Sequence, residues 1–413
     1  MACEEMKDSG TRGMGAIPAH WKIIPMKYVA SLDPPCHLPD VSDDDEVSFA
    51  PMECIRNDRR IPRTAPKSND NGTYSKFMDG DIAIAKVTPC FENGNICMME
   101  NLLNGFAFGS SELFTVRAHS IQNRFLFYCM QSPYFVDGGV AIMTGTGGLK
   151  RVSSDYMRNA LIPLPPAIEQ REISLFLDSK CSEIDAIITN AKSSIDEYKR
   201  WKASMIYQAV TKGLDPNADM QESGIDIVGI VPTDWQMVRL RFLCNVMTGD
   251  QDTQNAVPDG NYPFYVRSPI VERADTFTFE GESVLMAGDG VGAGKVFHHA
   301  KGKYAIHQRV YCFYNFRNIK PSFFYYYMSN LFSTEIDKGS AKSTVPSVRL
   351  PMLSNFRIAL PSIQKQDAIC EYLDKRTGQI DAIIAEKQSI IAELEAYRKS
   401  LIYETVTGKR KAE

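Results

Sequence analysis

Apolar residues recur at alternating spacings of four and three along two long segments of the chain. The first segment, 167–210, contains neither proline nor glycine, and Lys202 is the charged interruption of its apolar stripe. The second segment repeats the pattern with Arg398 at the matching position. Such a stripe predicts a long amphipathic helix that needs a partner helix to cover it. The predicted seam positions are Leu177, Ile184, Ile188 and Ile195 in the first helix, and Leu373, Ile380, Ile384 and Ile391 in the second.

The two predicted helices are copies of one sequence block. Residues 162–211 align without a gap with residues 358–407, and 20 of the 50 aligned positions are identical. A shorter repeat lies upstream of each copy, where SGTRGMGAIPAHW (9–21) aligns with SGIDIVGIVPTDW (223–235). An internal repeat of this length indicates duplication. The chain therefore has the plan variable block, helix, variable block, helix.

Both ends of the predicted helices carry sequence signals. Pro165 and Pro166 predict an extended lead-in to the first helix, because the residue before a proline disfavours helical conformation. Gly213 and Gly408 follow the two helices, and we expect them to form C-terminal caps. The two copies are expected to pair within one chain as a rod of roughly 60 Å. A coiled coil between identical chains is the alternative.

The variable blocks have a different pattern. Short strand-like runs such as 80–87 and 281–290 alternate with glycine and turn residues, and an aromatic segment such as 323–328 follows in each block. The order of these features is the same in both blocks. The pattern predicts two mixed α/β globules that share a fold and differ in their surface loops.

Composition narrows the function classes. The chain has 413 residues, enough for two to four domains, and its net charge of −4 provides no global basic field. Any contact with nucleic acid must therefore come from local patches. Neither a signal peptide nor a membrane-spanning apolar run is visible, so we expect a cytoplasmic location. The 10 cysteines include no CxxC pair, which favours free thiols over a zinc or redox site.

The repeated blocks resemble the specificity subunit of type I restriction–modification enzymes. The resemblance rests on IPAHW (17–21), SGIDIVGIVPTDW (223–235), IPLPPAIEQREISLFLD (162–178) and the repeated IDAII, and it covers essentially the whole chain. In that family each variable block is a target-recognition domain and the repeated helices form a rigid spacer. The resemblance implies an α+β class: two mixed α/β target-recognition domains joined by two long helices that form an antiparallel coiled coil, with pseudo-two-fold symmetry.

The resemblance also implies domain boundaries and partners. The implied boundaries are 1–163 and 216–359 for the two target-recognition domains, and 164–215 and 360–413 for the two spacer helices. The implied function is recognition of a bipartite, asymmetric DNA target, which directs N6-adenine methylation and cleavage by partner subunits. The implied partners are double-stranded DNA, two modification subunits and restriction subunits. S-adenosylmethionine would bind to the modification subunits, so this chain is expected to have no cofactor and no catalytic activity.

Two motifs resemble catalytic or phosphate-binding sequences and depart from both. The segment SLDPPC (31–36) resembles the Asp-Pro-Pro-aromatic motif of amino-methyltransferases, but Cys36 stands where a ring would stack on the flipped base. The segment 286–297 resembles a phosphate-binding loop, but Asp289 replaces its first glycine and Val296 its serine or threonine. We therefore predict a simple loop at the first motif and a hairpin between strands at the second.

Basic and glycine-rich loops are the candidates for DNA contact. The candidate residues are Thr146, Gly147, Lys150 and Arg151 in the first globule, and Lys295, Gln308, Arg309, Lys342, Ser343, Thr344 and Arg349 in the second. The loops 145–154 and 337–349 are expected to occupy equivalent places in the two globules. We expect their arginines, Arg151 and Arg349, to read base edges, because a guanidinium can bond guanine through two donors. Lys150 and Lys342 are expected to hold phosphate groups. An ordinary solvated loop is the alternative for the loops 145–154 and 337–349, and a buried strand is the alternative for the segment that contains Gln308 and Arg309.

Two other function classes remain open at this point. A non-catalytic structural adaptor would bridge protein partners through the coiled coil, and it would enrich no sequence from random duplex DNA. An enzyme is disfavoured, because the sequence offers no constellation of nucleophile, metal ligands or cofactor-binding residues.

Overall fold

The chain folds into two compact units that interleave along the sequence. The computed structural model describes residues 5–36, 41–56, 59–70, 72–146, 148–339 and 347–412. One unit comprises Met1–Ala191 together with Ser389–Glu413, and the other comprises Lys192–Gln388. We refer to them as the first and second units. Two long helices, α4 (Ala167–Lys212) and α7 (Ile363–Val406), each contribute one segment to each unit.

The first unit consists mainly of short strands. In chain order these are β1 (Met6–Asp8), β2 (Ala16–Pro18), β3 (Lys22–Pro25), β4 (Ala30–Leu32), β5 (Glu46–Ala50), β6 (Ile55–Arg56), β7 (Arg59–Arg60), β8 (Thr64–Pro66), β9 (Ser75–Met78), β10 (Ile82–Ala85), β11 (Ile96–Met98), β12 (Phe106–Gly109), β13 (Leu113–Ala118), β14 (Thr144–Thr146), β15 (Leu149–Arg151) and β16 (Leu161–Leu164). Three short helices accompany them: α1 (Asn123–Gln131), α2 (Pro133–Val140) and α3 (Ser154–Asn159). Two four-stranded sheets form, with the orders β11-β10-β13-β4 and β8-β5-β12-β9.

The second unit repeats the first of these sheets. Its strands are β17 (Met220–Glu222), β18 (Ile230–Pro232), β19 (Gln236–Arg239), β20 (Asn245–Thr248), β21 (Tyr262–Tyr265), β22 (Glu272–Ala274), β23 (Phe279–Ala287), β24 (Phe297–Ile306), β25 (Val310–Tyr314) and β26 (Arg357–Leu360), and its short helices are α5 (Pro321–Gly339) and α6 (Leu350–Asn355). The six-stranded sheet has the order β20-β25-β23-β24-β21-β22. Its first four strands, β20, β25, β23 and β24, correspond to β4, β13, β10 and β11 of the first unit.

Burial explains why the central strands form. All four residues of β10 and the last five residues of β23 are buried, because these strands are covered on both faces. The aromatic segment of the second unit lies in α5, as expected, and Phe323, Phe324 and Tyr327 are fully enclosed there. The two mixed globules predicted from the sequence are thereby confirmed.

A buried glutamine fastens each long helix to its globule. In the first unit Gln170 donates to the carbonyl oxygen of Pro165 at 2.8 Å and accepts from the backbone N–H of Gln122 at 2.9 Å. In the second unit Gln366 accepts from the backbone N–H of Lys320 at 2.7 Å. Both amides are buried, so each satisfies backbone groups that water cannot reach.

A tyrosine–aspartate pair also joins each long helix to its globule. Tyr128 donates to Asp178 at 2.6 Å in the first unit, and Tyr326 donates to Asp374 at 2.6 Å in the second. Burial is the main cause that raises the pKa of both tyrosines, and the hydrogen bond to the carboxylate raises it further. The hydroxyls therefore remain protonated donors at neutral pH. Asp178 and Asp374, which are identical in the sequence repeat, thus each bond a tyrosine of their own globule.

In the second unit the end of α4 and the start of α7 run antiparallel. Lys202 pairs with Asp381 at 2.6 Å, and the ammonium of Lys387 lies 5.9 Å from the ring centroid of Tyr198. A higher residue number on α4 therefore meets a lower number on α7. The first unit has the same direction, because Arg398 pairs with Asp185 at 3.4 Å and a cavity nearer the helix ends is lined by both Ile173 and Gly408.

The apolar seam is largely enclosed. The buried seam residues are Leu177, Ile184, Ile188, Ile195, Leu373, Ile380 and Ile391, and Ile384 is half-buried. In the second unit Leu373 and Ile380 share one core with Met205 and Ile206 of α4. The long helix pair predicted from the repeat is present. Which isoleucines face one another across the seam stays a prediction.

The glycines after the two long helices adopt left-handed conformations. Gly213 has a φ of 76° and Gly408 a φ of 69°, which is the usual conformation of a helix C-cap. Each glycine also packs on a tryptophan of one of the short repeats 9–21 and 223–235. An added Cβ on Gly213 would lie 3.3 Å from Trp235, and one on Gly408 would lie 3.1 Å from Trp21. The IPAHW and VPTDW repeats therefore close the C-terminal ends of the long helices.

Candidate nucleic-acid interface

An exposed hairpin of the first unit contains its predicted DNA contacts. Strands β14 and β15 pair antiparallel, and every residue described in them is exposed. Thr88 holds the hairpin in place: its backbone N–H donates to the carbonyl oxygen of Lys150 at 3.0 Å, and its hydroxyl donates to that of Gly148 at 2.9 Å. Lys150 therefore has a fixed backbone and an exposed side chain.

Arg151 lies at the end of this hairpin in a bidentate ion pair. Its Nε and Nη2 donate to the two carboxylate oxygens of Glu112 at 3.0 and 2.5 Å. The hydrogen bond to Arg151 lowers the pKa of Glu112, so the carboxylate is ionised at neutral pH. About half of the Arg151 side chain is exposed. The predicted reader is thus an oriented guanidinium rather than a mobile one.

The segment that resembled a phosphate-binding loop is a hairpin, as predicted. It connects β23 with β24, and Met286 pairs with Phe297 at its base. Gly290 and Gly294 have φ values of 74° and 65°, which a residue with a Cβ rarely adopts. Val291 is 95% exposed at the tip. Lys295 is exposed beside it.

Asp289 joins this hairpin to two arginines. Arg267 donates to Asp289 at 3.0 Å, and Nε of Arg309 lies 3.7 Å from the other carboxylate oxygen. Gln308 is also exposed, and it donates to Asp252 at 2.6 Å. The predicted residues Gln308 and Arg309 therefore lie on the surface beside the hairpin that carries Lys295.

Buried His307 fixes the turn that presents Gln308 and Arg309. Its Nδ1 accepts a hydrogen bond from the backbone N–H of Arg309 at 2.9 Å, and its ring stacks on Phe264. Desolvation lowers the pKa of His307, so the imidazole is neutral and can accept this bond. The sequence left open whether this segment is a buried strand or faces DNA. In the structure His307 is buried, and the two residues after it, Gln308 and Arg309, are exposed.

The two surfaces match through their backbones. In the first unit Lys86 donates its N–H to Glu112 and accepts from Val152; in the second unit Gly288 donates to Arg309 and accepts from Val348. Glu112 and Arg309 therefore occupy the same place in the two units. The position that matches Arg151, one residue before the matching valine, is Ser347.

This match changes one sequence interpretation. Arg349 was paired with Arg151 by loop composition, but Arg349 lies at the N-cap position of α6, two residues beyond Ser347. Its side chain is exposed, and its contact with DNA stays a prediction. Four other candidates lie outside the described residues; they are Gly147, Lys342, Ser343 and Thr344.

The segment 31–36, which resembles an amino-methyltransferase motif, is a structural loop. Asp33 has a φ of 47°, and its carboxylate accepts from the backbone N–H of Thr115 at 2.9 Å. Arg117 covers Cys36 by donating to its sulfur at 3.4 Å.

Within the described ranges, no cluster of histidine, cysteine and acidic side chains could hold a metal ion, and the cysteines there are unpaired thiols. No described helix has the length and apolar character that crossing a membrane requires.

Three contributors to these surfaces were missed by sequence reasoning. Glu112, Arg267 and Asp289 attracted no interpretation as binding residues, because each gains its role from a partner distant in sequence. The signal for Asp289 was present as a departure from the phosphate-loop motif, where an acidic residue takes the place of a glycine.

The comparisons of this chain with known proteins agree with one another. Residues 232–396 match the family model described as Type I restriction modification DNA specificity domain. The EcoAI specificity subunit of Escherichia coli is 35% identical over 190 residues, and the EcoEI subunit of the same organism is 31% identical over 192 residues; each match covers 45% of this chain and 32% of the relative. The chain thus spans about a third of the length of these relatives. The MjaVIII specificity subunit of Methanocaldococcus jannaschii is 26% identical over 69% of both chains.

A solved structure shares the fold over nearly the whole chain. It was described under "complex assembly and conformational transition of the type I R-M system", and it superposes with a TM-score of 0.70 at 17% identity, covering 95% of this chain and 99% of that one. The fold, the specificity-domain match and the named relatives agree with the duplicated helix blocks. Residues 232–396 of this chain therefore match a type I restriction modification DNA specificity domain, and nearly the whole chain has the fold of that solved structure.

Proposed function

We propose that this chain is the DNA sequence-specificity subunit of a type I restriction–modification complex. Each unit reads one half of a bipartite, asymmetric target, and partner subunits carry out adenine methylation and cleavage. The observation that carries the proposal is the divergence of one surface on a duplicated scaffold. Glu112 and Arg309 occupy the same place in the two units with opposite charge, while the anchoring contacts of the helices are repeated.

The repeated contacts support a scaffold of fixed geometry. Gln170 and Gln366 make the same bond to their globules, and so do Asp178 and Asp374. Such groups hold each reading surface rigidly on the helix, which base readout requires. Divergent surfaces on matching frames suit two different half-sites, because base contacts specify sequence while the frame only positions them.

The surface charge fits a specificity subunit whose partner subunits also contact the DNA phosphates. Arg151 is paired with Glu112, and Arg267 and Arg309 share Asp289, so carboxylates offset part of the positive charge of these surfaces. Phosphate contacts provide most of the affinity of DNA-binding proteins. We infer that modification subunits provide much of that affinity, together with S-adenosylmethionine and the methyl-transfer chemistry.

Matching aromatic residues support two copies of such a partner. Trp201 and Tyr397 occupy equivalent positions of the helix repeat and are 55% and 47% exposed. Large exposed aromatics are common anchors of protein interfaces. We infer that each anchors one modification subunit. Trp201→Ala and Tyr397→Ala should each reduce the mass of the purified complex by one partner copy, and retention of both copies would remove these residues from the interface.

Selection from random duplex DNA tests the function. The full chain, together with the modification subunit of its host, should enrich a sequence of two short blocks separated by unspecified base pairs. Enrichment of no sequence would favour a protein adaptor instead. Replacing residues 235–356 by the corresponding block of a relative should then change one block of the selected sequence. A change in both blocks would contradict independent reading by the two units.

A further inference from the structure

Each unit presents an exposed guanidinium beside a carboxylate on its reading surface. In the first unit Arg151, from the hairpin, binds Glu112 at the start of β13. In the second unit Arg309 stands in the place of Glu112, at the start of β25, and the carboxylate comes from Asp289 in the loop between β23 and β24. Since Ser347 is the position that matches Arg151, the carboxylate and the guanidinium of the two pairs come from different chain positions.

In both pairs the guanidinium is the outer group. The Arg151 side chain is 51% exposed against 34% for Glu112, and that of Arg309 is 65% exposed against 25% for Asp289. The arginine is therefore the more accessible partner for an approaching base edge. A guanidinium has five N–H donors, and Arg151 uses one on Nε and one on Nη2 for Glu112. The remaining donors still suffice for a bidentate bond to guanine.

The carboxylates restrict the arginines before DNA binds. A free arginine samples many rotamers, and ordering it on binding opposes association. Arg151 donates two hydrogen bonds to Glu112 and has already lost much of this freedom, and Arg309 is restrained by its ion pair with Asp289 at 3.7 Å. Asp289 is held in turn by Arg267 at 3.0 Å. The hydrogen bond to Arg151 lowers the pKa of Glu112, which keeps the first pair ionised at neutral pH.

We propose that Glu112 and Asp289 are positioning residues that orient Arg151 and Arg309 to read one base pair in each half-site. This inference rests on the proposed function. Asp289 orients the reader of the second half-site, and Glu112 orients that of the first. Neither carboxylate contacts the base itself.

Half-site selection with single variants tests the proposal. Glu112→Gln should lower discrimination at one base pair of one block by about tenfold, and it should leave the other block unchanged. Asp289→Asn should do the same in the opposite block, so each variant is the control for the other. Affinity for unrelated duplex DNA should not fall, because a negative charge has been removed near phosphate. A selected sequence identical to that of the wild type in both variants would overturn the proposal.

An exchange variant separates orientation from simple stabilisation. Glu112→Arg combined with Arg151→Glu keeps an ion pair, but it moves the guanidinium to the side that Arg309 occupies in the second unit. The unfolding midpoint should return to that of the wild type while the selected base at that position stays altered. Recovery of the wild-type sequence would show that the pair acts only in stability.

A distant ion pair provides the matched control. Glu282 binds Lys301 at 3.0 Å and lies toward the opposite end of β23 from the hairpin. Glu282→Gln should leave both blocks unchanged, and a loss of discrimination there would contradict a local effect. If the wild-type chain enriches no sequence, the proposed function fails; if it does and the two positioning variants match it, only this inference fails.

Discussion

Lys202 donates to both carboxylate oxygens of Asp381, at 2.7 and 2.6 Å. The equivalent positions of the other unit are Arg398 and Asp185, which pair at 3.4 Å. Both cations interrupt the apolar stripe of their helix, and both meet an aspartate of the antiparallel partner. The pairs differ in burial: the Lys202 side chain is 28% exposed and that of Arg398 only 13%.

This difference predicts unequal effects of removing the aspartates. Asp185→Asn should lower the free energy of unfolding by about 2 kcal/mol, because it weakens the support of a buried guanidinium. Asp381→Asn should lower it by less than about 1 kcal/mol, because the ammonium of Lys202 is more accessible to water. Urea unfolding of the two variants measures both values. Equal losses would contradict the role assigned to burial.

The seam offers a sharper contrast between neighbours. Ile188 is buried and Ile187 is 50% exposed. Ile188→Asp should destabilise the chain by about 3 kcal/mol or more, because it places an unpaired carboxylate in an apolar seam. Ile187→Asp should change stability by about 0.5 kcal/mol or less. Thermal unfolding of the pair checks the prediction, and a small effect at Ile188 would place it outside the seam.

Replacing the buried glutamine should leave backbone groups unsatisfied. Gln366 donates to Pro361 at 2.9 Å and accepts from Lys320 at 2.7 Å. Gln366→Leu keeps much of the volume but removes these two bonds and a third to the carbonyl oxygen of Asn318, so we expect a loss of about 2 kcal/mol or more. Exposed Gln364 provides the control, since Gln364→Leu should change stability by about 0.5 kcal/mol or less. Denaturant midpoints distinguish the two.

Stability of the second unit should fall as the solution becomes mildly acidic. Desolvation lowers the pKa of His307 below its usual 6.5, and nearby Arg267 and Arg309 act in the same direction, while Asp252 and Asp289 oppose them. The unfolded imidazole therefore takes up a proton at a higher pH than the folded one. Stability is fully present above about pH 6.5, and it is lost as the pH falls through the interval down to the folded pKa.

A substitution isolates this contribution. His307→Asn keeps a side-chain acceptor for the N–H of Arg309 and removes the titration. The variant should lose less stability than the wild type between pH 7.5 and 5.5, measured by urea unfolding. Burial lowers the pKa of His298 as well, so part of the dependence should remain. Identical pH profiles would exclude His307 as a source.

Lys150 should hold phosphate rather than read a base. Its ammonium is a point charge on an exposed side chain of a fixed hairpin. Lys150→Ala should weaken binding of the assembled complex to all duplexes alike, and it should lower the salt slope by about one unit. Titration over a salt series on cognate and single-mismatch duplexes measures both effects. A change in sequence preference would assign Lys150 to base reading.

The helices could be predicted because their determinants are local. The spacing of Leu177, Ile184 and Ile188 defines a stripe without reference to the rest of the chain, and Gly213 marks its end by its own conformation. Identity between the copies also marked Gln170 and Asp178. Their roles could not be derived, because their partners lie in the variable blocks.

The reading surfaces depended on distant pairings. Arg151 was singled out as a charged residue in a glycine-rich loop, but Glu112 lies 39 residues away along the chain. Composition alone aligned Arg151 with Arg349, whereas the backbone bonds of Val152 and Val348 align it with Ser347. Which residues of the two diverged loops correspond is determined by backbone hydrogen bonds, and these do not depend on residue type.

The interleaving of the units has a consequence for synthesis on the ribosome. The second unit is one continuous stretch, Lys192–Gln388, whereas the first needs Ser389–Glu413 to cover residues near its N-terminus such as Met14, whose carbonyl oxygen accepts from Tyr403 at 3.0 Å. Domains generally fold as units while the chain is being made. Here the later-synthesised unit can complete its core first. The earlier one must wait with an uncovered apolar surface until translation has passed the other, which gives nascent chains a period in which chaperones can bind.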